Sequence, residues 1–319
     1  MEAARLRVVT PGLLTTVQDL GRPKFQRFGM PVSGAMDQIA LRAANRLVGN
    51  PDGAAGLEIT LLGPELVFDR EAVIAITGGD LSPVLDGKPV SMLTAIAARR
   101  GCRLAFGARR GGARAYLAVA GGLEVPVILG SRATHIRSGT GGLAGRALAK
   151  GDLLCGGLPS GEAEQCVGRT VPRDALPAYA PIPTLRAVRG PQADQFAPEA
   201  FDTLVTGTYT LTAQADRMGY RLSGPPLIHA GSADIVSDAT PCGAVQVPGT
   251  QQPILLMADC QTTGGYPKIA VVISSDLPEA AQLAPGDRVR FALVELAAAQ
   301  AAARQQWARL AAVLPPVPC

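Results

Sequence analysis

Histidine is almost missing from this chain, with His135 and His229 the two in 319 residues. The six cysteines, Cys102, Cys155, Cys166, Cys242, Cys260 and Cys319, include no C-x-x-C pair. Neither a zinc site nor a disulfide framework has the spacing it needs, and no metal is expected. Aromatic residues make up 4% of the chain against 47% for all apolar types, so the core has to be built from Val, Leu, Ile and Ala. No apolar run approaches the ~20 residues that span a bilayer, and none follows Met1-Glu2-Ala3, so a cytoplasmic protein without a membrane partner is expected. The net charge of +4 is small and scattered, which gives no basic stripe for nucleic acid. Catalytic signatures are missing too. Gly87-Lys88 runs into Pro89 rather than Ser or Thr, and there is no G-x-S-x-G, S-x-x-K or H-E-x-x-H.

Short apolar runs punctuated by Gly and Pro are plentiful: Ala72 to Thr77, Tyr116 to Ala120, Ile254 to Ala258 and Ile269 to Ser274. They read as strands, so the fold is expected to be mainly β with a few helices. Pro172, Pro177, Pro181 and Pro183 interrupt a Gly- and Pro-rich stretch, which is read as a linker over 159–183 between lobes at 1–158 and 184–295. Apolar spacing through Met36, Ile39, Ala40, Ala43 and Leu47 predicts a helix capped by Ser33, with Asp37 in its first turn and a stop at Gly49. A short helix is expected from Asp276 with Glu279 as capping-box partner, and an Ala-rich helix with Leu296, Trp307 and Leu310 leads a tail over 296–319. A glycine precedes an alternating strand three times, at Gly101, Gly151 and Gly286.

The densest polar signal follows the apolar run at 254–258: Asp259-Cys260-Gln261-Thr262-Thr263-Gly264-Gly265-Tyr266-Pro267-Lys268. If the strand continues, Asp259 and Gln261 share a face while Cys260 points away. Gly264 and Gly265 let backbone amides approach an oxyanion, and Lys268 adds a positive charge. Asp259, Gln261 and Lys268 are therefore candidate catalytic groups, with Thr262, Gly264, Gly265 and Tyr266 beside them for an amide substrate. The same residues can instead satisfy a hairpin's own backbone. Arg217, expected to be oriented by Asp216, either grips an anion or braces a turn. Gln246, polar in an apolar strand, either faces the site or makes a structural amide bond. Arg132 with Gly141 and Gly142 offers a phosphate cradle or a flexible loop, and lacks the dinucleotide fingerprint.

Five segments, Pro11 to Gly21, Pro31 to Asp37, Ala115 to Gly122, Asp216 to Tyr220 and Asp259 to Tyr266, together resemble the biotin-dependent carboxyltransferase family across about residues 5 to 295. That family includes the C component of 5-oxoprolinase, a kinase-inhibitor antagonist, and the allophanate hydrolase subunit 2 region of urea carboxylase. The resemblance implies two cyclophilin-like β-barrel lobes. It also implies B and A partner subunits, with which 5-oxoprolinase opens 5-oxo-L-proline to L-glutamate using ATP and Mg shared with those partners. Carboxyl transfer from biotin is the alternative it carries, although no Met-Lys attachment motif is present. A regulatory antagonist of a kinase inhibitor is a third.

Overall fold

A computed structural model describes residues 2–159 and 163–315. Cys319 and part of the expected linker and tail lie outside these residues. The chain divides into two compact units, one made of 1–22, 33–177 and 309–319, the other of 23–32 and 178–308. Both are mainly β, as the apolar runs predict.

In the first unit one sheet is built from β1 (Arg5–Thr10), β4 (Glu65–Phe68), β6 (Val84–Leu85), β7 (Lys88–Pro89), β9 (Arg103–Ala105) and β11 (Leu153–Cys155), in the order β11-β1-β4-β9-β6-β7. A second contains β2 (Leu14–Gln18), β3 (Gly56–Thr60), β5 (Ala72–Asp80), β8 (Ala95–Ala98) and β10 (Gly111–Val119), in the order β2-β3-β10-β5-β8. Period two explains why β5 is buried on both faces and apolar from Ala72 to Ile76. Its Ile74 and Ile76 join a core with Leu6, Val17, Leu57 and Phe68, while Val73 and Ala75 meet a second core. The latter is completed by Ile39, Ala43 and Leu47 of α1 (Gln38–Leu47), which packs on β5 and β10.

The expected linker is in part core. Ala163, Cys166, Val171, Ala175 and Leu176 are buried in that same cluster, because their apolar side chains find a surface there despite the surrounding prolines. Segment 23–32, which carried no boundary signal, belongs to the second unit.

The second unit closes into a seven-stranded barrel. Its strands are β12 (Thr184–Arg189), β13 (Tyr209–Leu211), β14 (Gly219–Ser223), β16 (Ala244–Gln246), β17 (Ile254–Leu256), β19 (Lys268–Val272) and β20 (Arg288–Leu293). They run β12-β19-β16-β17-β14-β13-β20, and a parallel β12–β20 pairing shuts the ring. Outside it β15 (Asp238–Ala239) pairs antiparallel with β18 (Thr263–Gly264) as a two-stranded ribbon. Helices α2 (Pro198–Thr206) and α3 (Leu277–Ala280) belong to this unit, while α4 (Leu296–Val313) has residues 296–308 here and 309–313, with its buried Leu310, in the first.

Gly101, Gly151 and Gly286 all have φ near +90°, so each repeated glycine turns the chain into its strand in a backbone form that costs other residues. Two capping expectations are corrected. Asp37, not Ser33, caps α1, accepting from Ala40 N at 2.9 Å. Ser33 has φ +56° and donates to Thr134 O at 3.0 Å, which takes it out of the capping geometry. At α3 the Asp276 carboxylate makes no cap bond because Arg186 holds it, and Glu279 accepts from Ala180 N.

Asp37→Ala should therefore cost about 1 kcal/mol or more of stability, the ordinary worth of an N-cap. Ser33→Ala should leave α1 intact. Thermal unfolding followed by circular dichroism checks both, and equal losses would return the cap to Ser33.

Candidate functional site

Strand β17 stops at Leu256. Residues 257–260 turn, with Cys260 N donating to Met257 O at 3.0 Å, so the alternation expected through Asp259 and Gln261 does not exist. The turn is pinned by Arg217. Its Nε and Nη2 donate to the two Asp259 carboxylate oxygens at 2.9 and 3.0 Å, and Asp259 N donates to Arg217 O at 2.8 Å. Both side chains are about 95% buried. This corrects two expectations. Asp259 has both oxygens committed and is no free catalytic base, and Arg217 is not held by Asp216. Asp216 instead accepts from Met218 N and Gly219 N, bracing its own turn. Cys260 is buried beside Ala244 and Leu256, and burial, then the Asp259 charge, push its thiol up to about 11.

The remaining polar groups converge at the ribbon. Gln246 stands cross-strand from Lys268. Gln246 Nε2 donates to Tyr266 O, and Gln261 Nε2 donates to Gln246 Oε1, both at the long distance of 3.4 Å. Gly264 lets the two carboxamides lie close, since a Cβ would stand 2.8 Å from Gln246 Nε2 and 3.2 Å from Gln261 Nε2 and would push those side-chain ends aside. Thr262 O accepts from Thr240 N at 3.1 Å, and Gly265 O accepts from Ile235 N at 2.9 Å. Tyr266 is exposed, Gln261, Thr262, Gly264 and Gly265 are partly so, and Gln246 is buried. Polar groups with weak mutual bonds at a partly open edge can exchange those bonds for a ligand's.

Lys268 is different. Its side chain is wholly buried, and Nζ donates to Asp238 Oδ2 at 3.0 Å. The expected positive charge is present but turned inward onto a carboxylate, so Lys268 offers no exposed catalytic amine. Gln192 completes the group, with Nε2 donating to the same Asp238 oxygen at 2.9 Å and Oε1 accepting from Lys268 N at 3.2 Å. The Lys268 hydrogen bond first, then that of Gln192, hold the Asp238 carboxyl down to about 2. Asp238, Gln192 and Thr240 escaped the sequence reading. The signal available was Asp238-Ala239-Thr240, whose period-two spacing sends Asp238 to Lys268 and the Thr240 hydroxyl to Gln261 O.

Arg132, Gly141 and Gly142 lie in the first unit and do not make a phosphate cradle. Both glycines are buried, with φ of +73° and +53°, and a Cβ on either would collide with Ala133 O or the Thr134 hydroxyl, leaving no room for an anion. The Arg132 guanidinium donates to Glu124 at 2.7 Å and to Val125 O at 3.2 Å, while its backbone N donates to Asp19 at 2.6 Å. Asp19 also accepts from Gly21 N and the Ser131 hydroxyl at 2.7 Å, so it ties three segments together. In the same unit the fully buried Tyr116 donates to Glu58 and accepts from Asp37 N, both at 2.7 Å. Burial, then the charges of Glu58 and Asp37, raise the Tyr116 phenol well above its ordinary value.

Among the described residues no group of three or more His, Cys, Asp or Glu is placed to hold a metal, and no helix is long and apolar enough to cross a membrane. Cys102, Cys155, Cys166, Cys242 and Cys260 are free thiols.

Two β units, one a closed barrel with a polar ribbon at its edge, define a chain of carboxyltransferase type. It belongs to the carboxyltransferase domain family, subdomains A and B, which matches residues 28–293. It is 38% identical over 306 residues to the 5-oxoprolinase C subunit of Escherichia coli, covering 94% of this chain and 95% of that protein. Urea amidolyase of Saccharomyces cerevisiae is 34% identical over 307 residues, 91% of this chain but 17% of the yeast enzyme. The solved urea amidolyase of K. lactis superimposes with a TM-score of 0.90 at 32% identity, over 97% of this chain and 20% of that one.

Breaking a buried ion pair from one side leaves an uncompensated charge, so Asp259→Asn should destabilise the second unit by about 3–5 kcal/mol. Urea unfolding measures it, and an unchanged midpoint would release Asp259 for a role at the site. The Asp238–Lys268 pair has its own pH signature. Asp238 is depressed from 3.8 to about 2, so its stabilisation is full above the unfolded value and is lost as pH falls through about 2. The difference in urea midpoint between the wild type and Asp238→Asn should be constant above about pH 5 and should close between about pH 4 and 2.

Proposed function

We propose that this chain is the C component of an ATP-dependent 5-oxoprolinase, opening 5-oxo-L-proline to L-glutamate together with A and B subunits. The observation that carries this reading is length-matched similarity. Ninety-five per cent of the Escherichia coli protein is covered, whereas the chain spans about a fifth of the urea enzymes. In the reaction water adds its oxygen to the lactam carbonyl carbon, the ring C–N bond breaks, and the nitrogen gains a proton. ATP with Mg supplies the driving force that an unstrained lactam lacks. The phosphate-cradle residues expected in this chain do not fit that nucleotide.

The chain's own part is to hold the amide. Gln261 presents a carboxamide whose bond to the buried Gln246 is long, and Gly264 and Gly265 bring backbone close enough to meet the substrate's oxygen. A carboxyltransferase role on a urea-like amide is the second reading, favoured by the TM-score of 0.90 with urea amidolyase. Both readings put a small amide at the same edge.

The test is reconstitution with the A and B subunits encoded in the same genome. ATP-dependent release of glutamate is expected from the complete set and negligible turnover from the chain alone. Robust hydrolysis by the single chain, or carboxylation that depends on a biotin carboxylase in place of lactam opening, would overturn the reading. In the active complex Gln261→Ala should lower turnover about ten- to a hundredfold, the worth of one or two positioned hydrogen bonds, while the melting temperature stays within a few degrees. Full turnover in this variant would remove Gln261 from the site.

A further inference from the structure

We propose that Asp238 is the substrate-contacting carboxylate of this site, accepting a hydrogen bond from the N–H of the amide substrate, and that the buried Lys268 is a positioning residue acting through it. The inference rests on the proposal that the ribbon edge of the second unit handles a small amide.

The geometry separates the two members of the pair. Lys268 is 0% exposed and reaches no ligand without rearrangement, whereas the Asp238 side chain is 45% exposed. Lys268 and Gln192 both bond to Oδ2 of Asp238, which fixes the carboxylate from its inner side. Asp238 is also the cross-strand partner of Gly264, the glycine that lies against the Gln246 and Gln261 carboxamides. An anionic acceptor and the partly exposed carboxamide of Gln261, which is bonded to the buried Gln246, thus meet at one edge of the barrel. Their chemistry is complementary to a molecule that offers both an amide N–H and an amide C=O.

The acidity of Asp238 decides which role it takes. A carboxylate held near 2 is a poor proton acceptor at neutral pH, since a general base works best when matched to the operating pH. It is a permanently charged hydrogen-bond acceptor, and a charge-assisted bond of this kind is stronger than one between neutral groups. Its work is therefore recognition and orientation of the N–H rather than removal of a proton.

The test compares amides that differ in that N–H. Equilibrium binding of 5-oxoproline, its N-methyl derivative and urea is measured on the chain and on the complex with its A and B partners, for the wild type, Asp238→Asn and Asp238→Glu. The wild type is expected to bind an N–H amide at least about tenfold more tightly than the N-methyl compound, the worth of one charge-assisted hydrogen bond, and both variants to lose most of that discrimination. Asp238→Glu keeps a charge for Lys268, so it serves if the Asn variant fails to fold. Lys268→Met should weaken the same discrimination with no direct contact. Urea bound in place of 5-oxoproline, with that binding weakened at least about tenfold in the Asp238 variants, would sink the 5-oxoprolinase reading and keep this inference. Undiminished N–H discrimination in a folded Asp238 variant, or no binding of any of these amides by the wild-type chain or complex, would overturn it.

Discussion

A charge removed from water must be met by an opposite charge or by hydrogen bonds, and in this chain that requirement decides where the irregular segments go. The ammonium of Lys268 lies wholly inside the second unit. Its partner is supplied by a two-residue strand that also pairs with residues 263–264 through the backbone. The buried Arg217 likewise fixes the turn after β17 through both oxygens of Asp259. In the first unit Asp19 gathers Gly21, Ser131 and Arg132, and Glu58 gathers Met36 and Tyr116. Barrel and sheets follow from apolar alternation, while the course of the loops is set by these few ionic demands.

This division explains what was legible in the sequence. The apolar runs at 72–77, 116–120 and 269–274 mark the strands at 72–80, 111–119 and 268–272 because those strands are buried along most of their length. The repeated glycines before β9, β11 and β20 are legible for a different reason, namely that their backbone needs a positive φ. Asp238-Ala239-Thr240 offers a single period-two step, and its pairing with Thr263–Gly264 spans about 25 residues of sequence, so the local pattern alone does not name its partner. Ser33 and Asp37 are both good caps by type, and only the three-dimensional position of Thr134 O decides between them.

At the candidate site, polar density after an apolar strand singles out the segment but does not give the direction of its side chains. Gln246, Gln261 and Gly264 do converge. The faces were misassigned because β17 ends at Leu256, three residues before Asp259, so strand alternation stopped applying where it was most needed. Glycine-rich 139–142 misled in the opposite way. Its glycines permit tight packing against Ala133 and Thr134, and a glycine needed because space is lacking looks, in sequence, like one that leaves space open.

The same acid–base accounting bears on why such a chain would need partners. Opening an amide requires a group that can take and return a proton near neutral pH. Asp238 is too acidic for this, and Asp259 is closed by Arg217. The Cys260 thiol, pushed up to about 11, is almost entirely protonated there. His229 is stacked on Phe196 with ring centroids 5.0 Å apart, and its Nε2 donates to Val247 O at 3.0 Å, contacts that fix the orientation of the ring. On the proposed reading, the second unit then supplies a binding edge with permanent charges and carboxamides, and the proton-transfer group comes from outside that edge. A protein that binds and orients while its partner carries the proton gives no turnover alone, because orientation without proton transfer leaves the C–N bond intact.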